Sequence, residues 1–179
     1  MLMAEWFVSG HTKRMGYRGV PFVFMLLLAS PAAASLLPGE ILRLHNAERA
    51  RWQVAPLAWD PGLAASADSW ALLLARTERF AHSSAGLRQG QGENLWMGTT
   101  RAYPVQAMVG AWLGERQWFR PGVFPRVSAT GRWSDVGHYS QIVASRSQRV
   151  GCAIRSSARW SYLVCRYWPS GNVEARALP

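Results

Sequence analysis

Between residues 40 and 52, Ile41, Leu44, His45, Glu48 and Trp52 return at helical spacing along one stripe, which predicts a first helix. Pro56-Leu57-Ala58-Trp59 follows as an extended link. Asp60-Pro61 then supplies an N-cap acceptor and a proline suited to the first helical position. The second helix this starts buries Leu63, Ala67, Trp70, Ala71 and Leu74, and its alanines let a neighbouring element approach closely. Residues 83 to 92, rich in Ser, Gly and Gln with no period, read as a loop. A third helix is expected over 104 to 119, with Val105, Met108, Val109, Trp112, Leu113 and Phe119 on one face. Arg116 falls on that same face, so the last turn should loosen. Residues 120 to 136, broken by prolines and glycines, form a long irregular connection.

From Tyr139 the period changes to two. Gln141-Ile142-Val143, Val150 to Arg155 and Trp160 to Tyr167 are predicted strands, the last two as a hairpin. If Cys152 opposes Cys165, Ile154 opposes Leu163, the loop centres on Ala158-Arg159, and all four side chains share one face. A non-hydrogen-bonded antiparallel pair brings Cα atoms to about 4.5 to 5.5 Å, within reach of a disulfide. Such a bridge would contribute about 3 kcal/mol in the chain-entropy account. Two buried free thiols are the alternative, and an oxidising compartment favours the bridge. Helices before and among the strands, closing on an antiparallel hairpin, predict an α+β layered domain with helices covering the sheet.

The amino end changes the picture of what folds. Lys13, Arg14 and Arg18 precede an apolar run from Val20 to Ala29, and Pro31-Ala32-Ala33-Ala34-Ser35 follows. Basic residues, an apolar core of about ten residues and an Ala-x-Ala site describe a secretory signal peptide over residues 1 to 34, too short to span a membrane. An uncleaved anchor is the alternative. Met15, directly before this pattern, is a candidate for the true start. The expected mature chain, residues 35 to 179, is one domain with no transmembrane segment, placed outside the cell or in the periplasm.

Charge narrows the partners. The formal net charge of the whole chain is +10. Every basic residue after Lys13 is arginine, and these are scattered from Arg43 to Arg176 rather than gathered in a stripe. That excludes a specific nucleic-acid reader and leaves a weak attraction to anionic envelope surfaces.

Candidate chemistry rests on few residues. Beyond the signal region the histidines are His45, His82 and His138. His45 lies on the apolar face of the first helix and reads as a hydrogen-bonded core residue. His82 stands where a helical segment gives way to a polar loop that soon reaches Glu93. Glu115, at the edge of the third helix's apolar face, should be half buried and in need of a partner. His138, at the start of a predicted strand, is placed to enter a cleft. No compact ligand spacing such as HExxH joins them, so residue types alone do not make a site.

The surrounding segments add to this. Leu44-His45-Asn46-Ala47-Glu48-Arg49, Pro56-Leu57-Ala58-Trp59-Asp60, Phe80-Ala81-His82-Ser83, Gly92-Glu93-Asn94-Leu95, Trp112-Leu113-Gly114-Glu115, Gly137-His138-Tyr139-Ser140-Gln141 and Cys165-Arg166-Tyr167-Trp168-Pro169-Ser170-Gly171-Asn172 occur in this order. Together they resemble the CAP superfamily of cysteine-rich secretory, antigen 5 and pathogenesis-related proteins, also called SCP-like. The match runs from Ile41 to Val173. The resemblance implies a three-layer α-β-α sandwich with a mainly antiparallel central sheet. It also implies a secreted protein and a central cleft to which His82, Glu93, Glu115 and His138 contribute. Such a tetrad can hold a divalent cation, often zinc, and imidazole with carboxylate is suitable ligand chemistry. Ala144 stands where the family signature has tryptophan, and extra disulfides of many eukaryotic members are missing, as in a compact bacterial member.

The resulting expectation is a monomeric binding module for a small apolar, lipid or cell-envelope ligand, with no catalytic residue assigned. One alternative is a metal-assisted hydrolase in which a cation on His82 and His138 activates water and a glutamate acts as base. The other is a surface interaction protein with a vestigial cleft.

Overall fold

The computed structural model describes residues 31–179, with side chains from Leu37 onward. The expected signal peptide therefore lies outside the described residues, apart from the backbone of its last four positions.

The first helix, α1 (Pro31–Arg51), contains the predicted stripe and leads to a two-residue strand, β1 (Ala58–Trp59). The second helix, α2 (Pro61–Thr77), begins as the sequence requires: Asp60 Oδ1 accepts from the amides of Gly62 and Leu63 at 2.8 and 3.0 Å. Such a cap contributes about 1 kcal/mol. After α2 come a single-turn helix, α3 (Ala85–Arg88), and an eight-residue strand, β2 (Gly92–Thr99). The third predicted helix is split. Its regular part, α4 (Val105–Leu113), tightens into a 3-10 turn over Gly114–Gln117. The loosening expected at Arg116 is thus observed, because Arg116 reaches back to Glu48 of α1 at 3.3 Å instead of staying on the apolar face.

A short strand, β3 (Gly122–Val123), and a 3-10 turn, Trp133–Asp135, carry the chain to α5 (Gly137–Val143). Two long strands, β4 (Arg149–Ser156) and β5 (Trp160–Trp168), and a last short one, β6 (Ala177–Leu178), complete the chain.

Three sequence expectations are corrected. Gln141-Ile142-Val143 is helical, not a strand, and His138 opens a helix. Tyr139 to Val143 are all buried, and a short run buried on every side carries no period that separates helix from strand. Within 83 to 92, expected as loop, Ser84 caps α3. The strand β2 went unread because Gly92-Glu93-Asn94-Leu95-Trp96-Met97 does not alternate cleanly; pairing with β5 along all eight residues makes it extended.

The main sheet has the order β1-β4-β5-β2, antiparallel except where β1 meets β4. The expected hairpin register is observed, with Cys152 opposite Cys165 and Ile154 opposite Leu163. The two cysteines are bridged, their Cα atoms 4.1 Å apart.

Along β5 the side chains part. Leu163, Cys165 and Tyr167 face a core shared with α1, α4 and α5. Tyr162 and Val164 face a smaller core shared with Ala67, Ala71 and Leu74 of α2. These are the three layers. The α2 layer sits very close, because a Cβ on Gly151 of β4 would fall 2.2 Å from the backbone nitrogen of Ala64. Only glycine permits that approach.

Arg49 ties the other face together. Fully buried, it donates from Nε to Ala55 O at 2.8 Å, from Nη1 to Ile142 O and Ala144 O at 2.9 Å, and from Nη2 to Ser147 O at 2.8 Å. Burial lowers its pKa to about 10. Ala144, where the family pattern has tryptophan, is itself fully buried, so the small residue opens no surface.

Candidate functional site

At the edge where β2 runs between the α2 side and α5, a hollow of about 500 Å3 is lined by His82, Glu93 and His138 among others. Each histidine arrives with its own carboxylate. His82, in the segment after α2, places Nδ1 2.6 Å from Glu93 Oε1 of β2. Ionised carboxylates only accept, so Nδ1 carries the proton and donates.

The Glu93 side chain is 1% exposed. Its Oε1 also accepts from the Ser83 amide at 3.0 Å, and its Oε2 from Ser83 Oγ at 2.9 Å. Beneath it, Arg166 of β5 sets Nη2 3.0 Å from Oε2. Burial pushes the Glu93 carboxyl up. The His82 hydrogen bond, the Arg166 charge and the Ser83 contacts outweigh that and hold it below its ordinary value.

His138 and Glu115 are joined differently. Glu115, in the 3-10 turn after α4, sets Oε1 2.5 Å from His138 Nδ1. Its Oε2 accepts from the backbone amides of His138 and Tyr139, both at 3.0 Å, so the same carboxylate caps the start of α5. The imidazole stacks on Trp112, with centroids 5.8 Å apart and planes 15° off parallel. A support lies behind: Tyr139 donates its hydroxyl to Glu48 at 2.7 Å, and Trp52 Nε1 donates to that hydroxyl at 2.8 Å.

Of the four residues singled out in the sequence, His82, Glu93 and His138 line the hollow. Glu115 lines a shallower neighbouring depression and joins the cleft through His138. Neither histidine uses Nε2 in a hydrogen bond to a described residue, while all four carboxylate oxygens are engaged.

Among the described residues no three of His, Cys, Asp or Glu are grouped to hold a metal ion. Each of the two imidazoles is oriented by a carboxylate on Nδ1, which leaves its other nitrogen without a hydrogen-bond partner among the described residues. Among the same residues, no helix is long and apolar enough to cross a membrane.

His45 stays out of the cleft, as expected. Its Nδ1 donates to Ile41 O at 2.8 Å, and its Nε2 accepts from the Tyr167 hydroxyl at 2.9 Å. Burial first, and then the Arg49 charge, lower its pKa to about 4 against the opposing Ile41 hydrogen bond.

Sequence reasoning missed Arg166, Arg88, Asn94, Gln141 and Asn172. Asn94 donates to His138 O at 3.0 Å and to Tyr167 Oη at 3.2 Å. Gln141 accepts from the Gly171 amide at 2.9 Å, and Asn172 donates to Gly137 O at 2.7 Å, which draws the segment after β5 into the cleft wall. Arg166 and Asn94 each stand beside a residue already singled out, Cys165 and Glu93, but only Arg166 lies in a segment read with a two-residue period.

The profile of the cysteine-rich secretory protein family (CAP) matches residues 42–167. Pathogenesis-related protein 1A1 of Solanum lycopersicum is 37% identical over 135 residues, covering 73% of this chain and 70% of the relative. Pathogenesis-related protein 1 of Arabidopsis thaliana is 33% identical over 161 residues, covering 88% and 93%. Among solved structures, that of NaASP2 with Zn2+ superposes with a TM-score of 0.62 at 23% identity, covering 78% of this chain and 83% of its own.

Proposed function

The chain belongs to the cysteine-rich secretory protein family, and from that premise we propose that residues 35–179 form a secreted or periplasmic binding protein. Removal of residues 1–34 as a signal peptide belongs to the same proposal. Its ligand site is the cleft walled by His82 and His138, which takes a small envelope-derived ligand together with a divalent cation.

One observation carries the reading: two imidazoles on the same hollow are each held through Nδ1 by a buried or half-buried carboxylate, which leaves Nε2 unused. Zinc suits this donor pair, and the resemblance to NaASP2, solved with Zn2+, supports it. A bound ion would supply a Lewis-acidic charge at the cleft floor. The protein's own part is to fix the two rings through their Nδ1 hydrogen bonds.

The hydrolase alternative is less supported. It needs a glutamate free to take a proton from water, and every oxygen of Glu93 and Glu115 already accepts a hydrogen bond.

Elemental analysis with native mass spectrometry, on protein purified without chelator, tests the proposal. Zinc uptake near one ion per chain, lost in the His82→Ala/His138→Ala double variant, supports it. No uptake at micromolar zinc, together with no small molecule bound, overturns it.

A further inference from the structure

Resting on that reading of the cleft as a binding site, we propose that its ligand is an acidic, hydroxyl-rich glycan, with one sugar face laid on Trp133 and another on Trp168. The exposed part of the lining offers polar partners to such a ligand. Gln91, Ser134, Ser170 and Asn172 of the lining are polar and at least partly exposed. An apolar ligand would desolvate these groups and return no hydrogen bonds. A sugar can pair with them.

The two tryptophans are exposed yet fixed. Trp133 is 48% exposed, with Phe124 against it edge-on at a centroid distance of 5.3 Å. Its ring also lies over Gly137, where a Cβ would come within 3.2 Å. Trp168 is 43% exposed, and its ring lies on Gly90 with a Cβ there at the same 3.2 Å. Trp133 itself lines the hollow, and Trp168 borders it through Gly90. The negative face of an indole attracts the weakly positive C–H face of a pyranose, and a ring already held in place loses little entropy on binding.

The charge balance adds the acidic preference. Glu93 is the acidic residue of the lining, and two guanidiniums attend it, Arg166 at 3.0 Å and Arg88 at 3.9 Å. Buried Arg166 answers the Glu93 charge, which leaves Arg88 as the guanidinium of the lining open to a ligand carboxylate. Arg88, with 29% of its side chain exposed and itself part of the lining, is the one that faces a ligand.

Calorimetric titration of the mature chain with tetragalacturonate, cellotetraose and palmitate tests this. Tetragalacturonate should bind, cellotetraose several-fold more weakly, and palmitate not at all. Trp133→Ala should weaken the acidic sugar about tenfold with an unchanged thermal midpoint. Trp133→Tyr should restore most of that loss, and Arg88→Gln should remove the preference between the two sugars. The glycan proposal is overturned if neither sugar binds, or if Trp133→Ala binds tetragalacturonate as tightly as the parent. Palmitate binding that is lost in the His82→Ala/His138→Ala variant would overturn the glycan proposal and leave the cleft reading standing. Failure of every probe together with absent zinc uptake would remove both.

Discussion

In the His82–Glu93 pair the carboxylate is 1% exposed and its imidazole 56%; in the His138–Glu115 pair the corresponding values are 18% and 32%. The first carboxylate is the counter-charge of Arg166, itself 2% exposed, whose Nε and Nη1 find no acceptor among the described residues. Among the described residues, the second carboxylate is paired with no guanidinium. It holds two backbone amides at the start of α5, and its imidazole is steadied from the side by Trp112. The same two residue types thus serve the cleft through different physics. One pair is an ion cluster sunk into the sheet on the α2 side, and the other is a helix cap with a stacked ring. Each carboxylate is occupied by the fold before it serves a ligand, which argues for orientation of the rings as its contribution to the cleft.

The largest expected difference follows from Arg166. In Glu93→Gln the guanidinium stays buried with its counter-charge gone, and breaking a buried pair in this way costs about 3 to 5 kcal/mol. In Glu115→Gln an amide oxygen can still accept the two backbone amides, so the loss is about 1 to 2 kcal/mol, that of a weakened charge-assisted hydrogen bond. Urea unfolding of both variants at pH 7 measures the gap. Equal losses would break the comparison, because Glu93 would then have no special role as a buried counter-ion.

How far the site could be read in advance follows the same division. Helices α1 and α2 and the β4–β5 register were legible because a half-buried element writes its period into the sequence. Ile41, Leu44 and His45 recur at helical spacing, and Cys152 and Ile154 alternate against Cys165 and Leu163. α5 was not legible, since Tyr139, Ile142 and Val143 are buried all round and no polar face marks a period. The histidines and glutamates were found from the motif text around them, and the residue types alone did not single them out. Arg166 was missed for a plain reason: an arginine within a strand reads as solvated, and what keeps this one inside is Glu93, 73 positions earlier.

A third imidazole sharpens the comparison by separating acid effects. His45 has a folded-state pKa lowered to about 4, against about 6.5 in the unfolded chain. Between these values the unfolded chain binds one more proton than the folded one. Stability therefore falls as pH drops from 6.5 to 4, by on the order of 3 kcal/mol, and His45 adds nothing further below that. Glu93, with its pKa held low, loses its contribution only at still more acid pH, starting near the ordinary carboxylate value. A His45→Gln variant can keep both hydrogen bonds, donating to Ile41 O and accepting from Tyr167. It should flatten the pH 6.5 to 4 decline in urea midpoints. A decline that persists in the variant would show that His45 is not its source.

The smallest effects test the rings themselves. His82 is more than half exposed, and its removal by His82→Ala leaves Glu93 with Arg166 and the Ser83 hydroxyl and amide, so the stability change should stay within about 0.5 kcal/mol. His138→Ala gives up the stack on Trp112 as well as the Glu115 hydrogen bond, while both backbone amides keep their acceptor; a loss of about 1 kcal/mol is expected. Thermal unfolding of the two variants should therefore rank His138→Ala below His82→Ala. The carboxylate variants would show the opposite order, Glu93→Gln being worse than Glu115→Gln. Such a crossing cannot arise if the pairs are equivalent units: it requires that the stabilising member be the carboxylate on the α2 side and be shared between carboxylate and ring on the α5 side. Parallel rankings in both series would mean that one pair is simply more buried than the other, and the distinction between an ion cluster and a capped, stacked helix would fall.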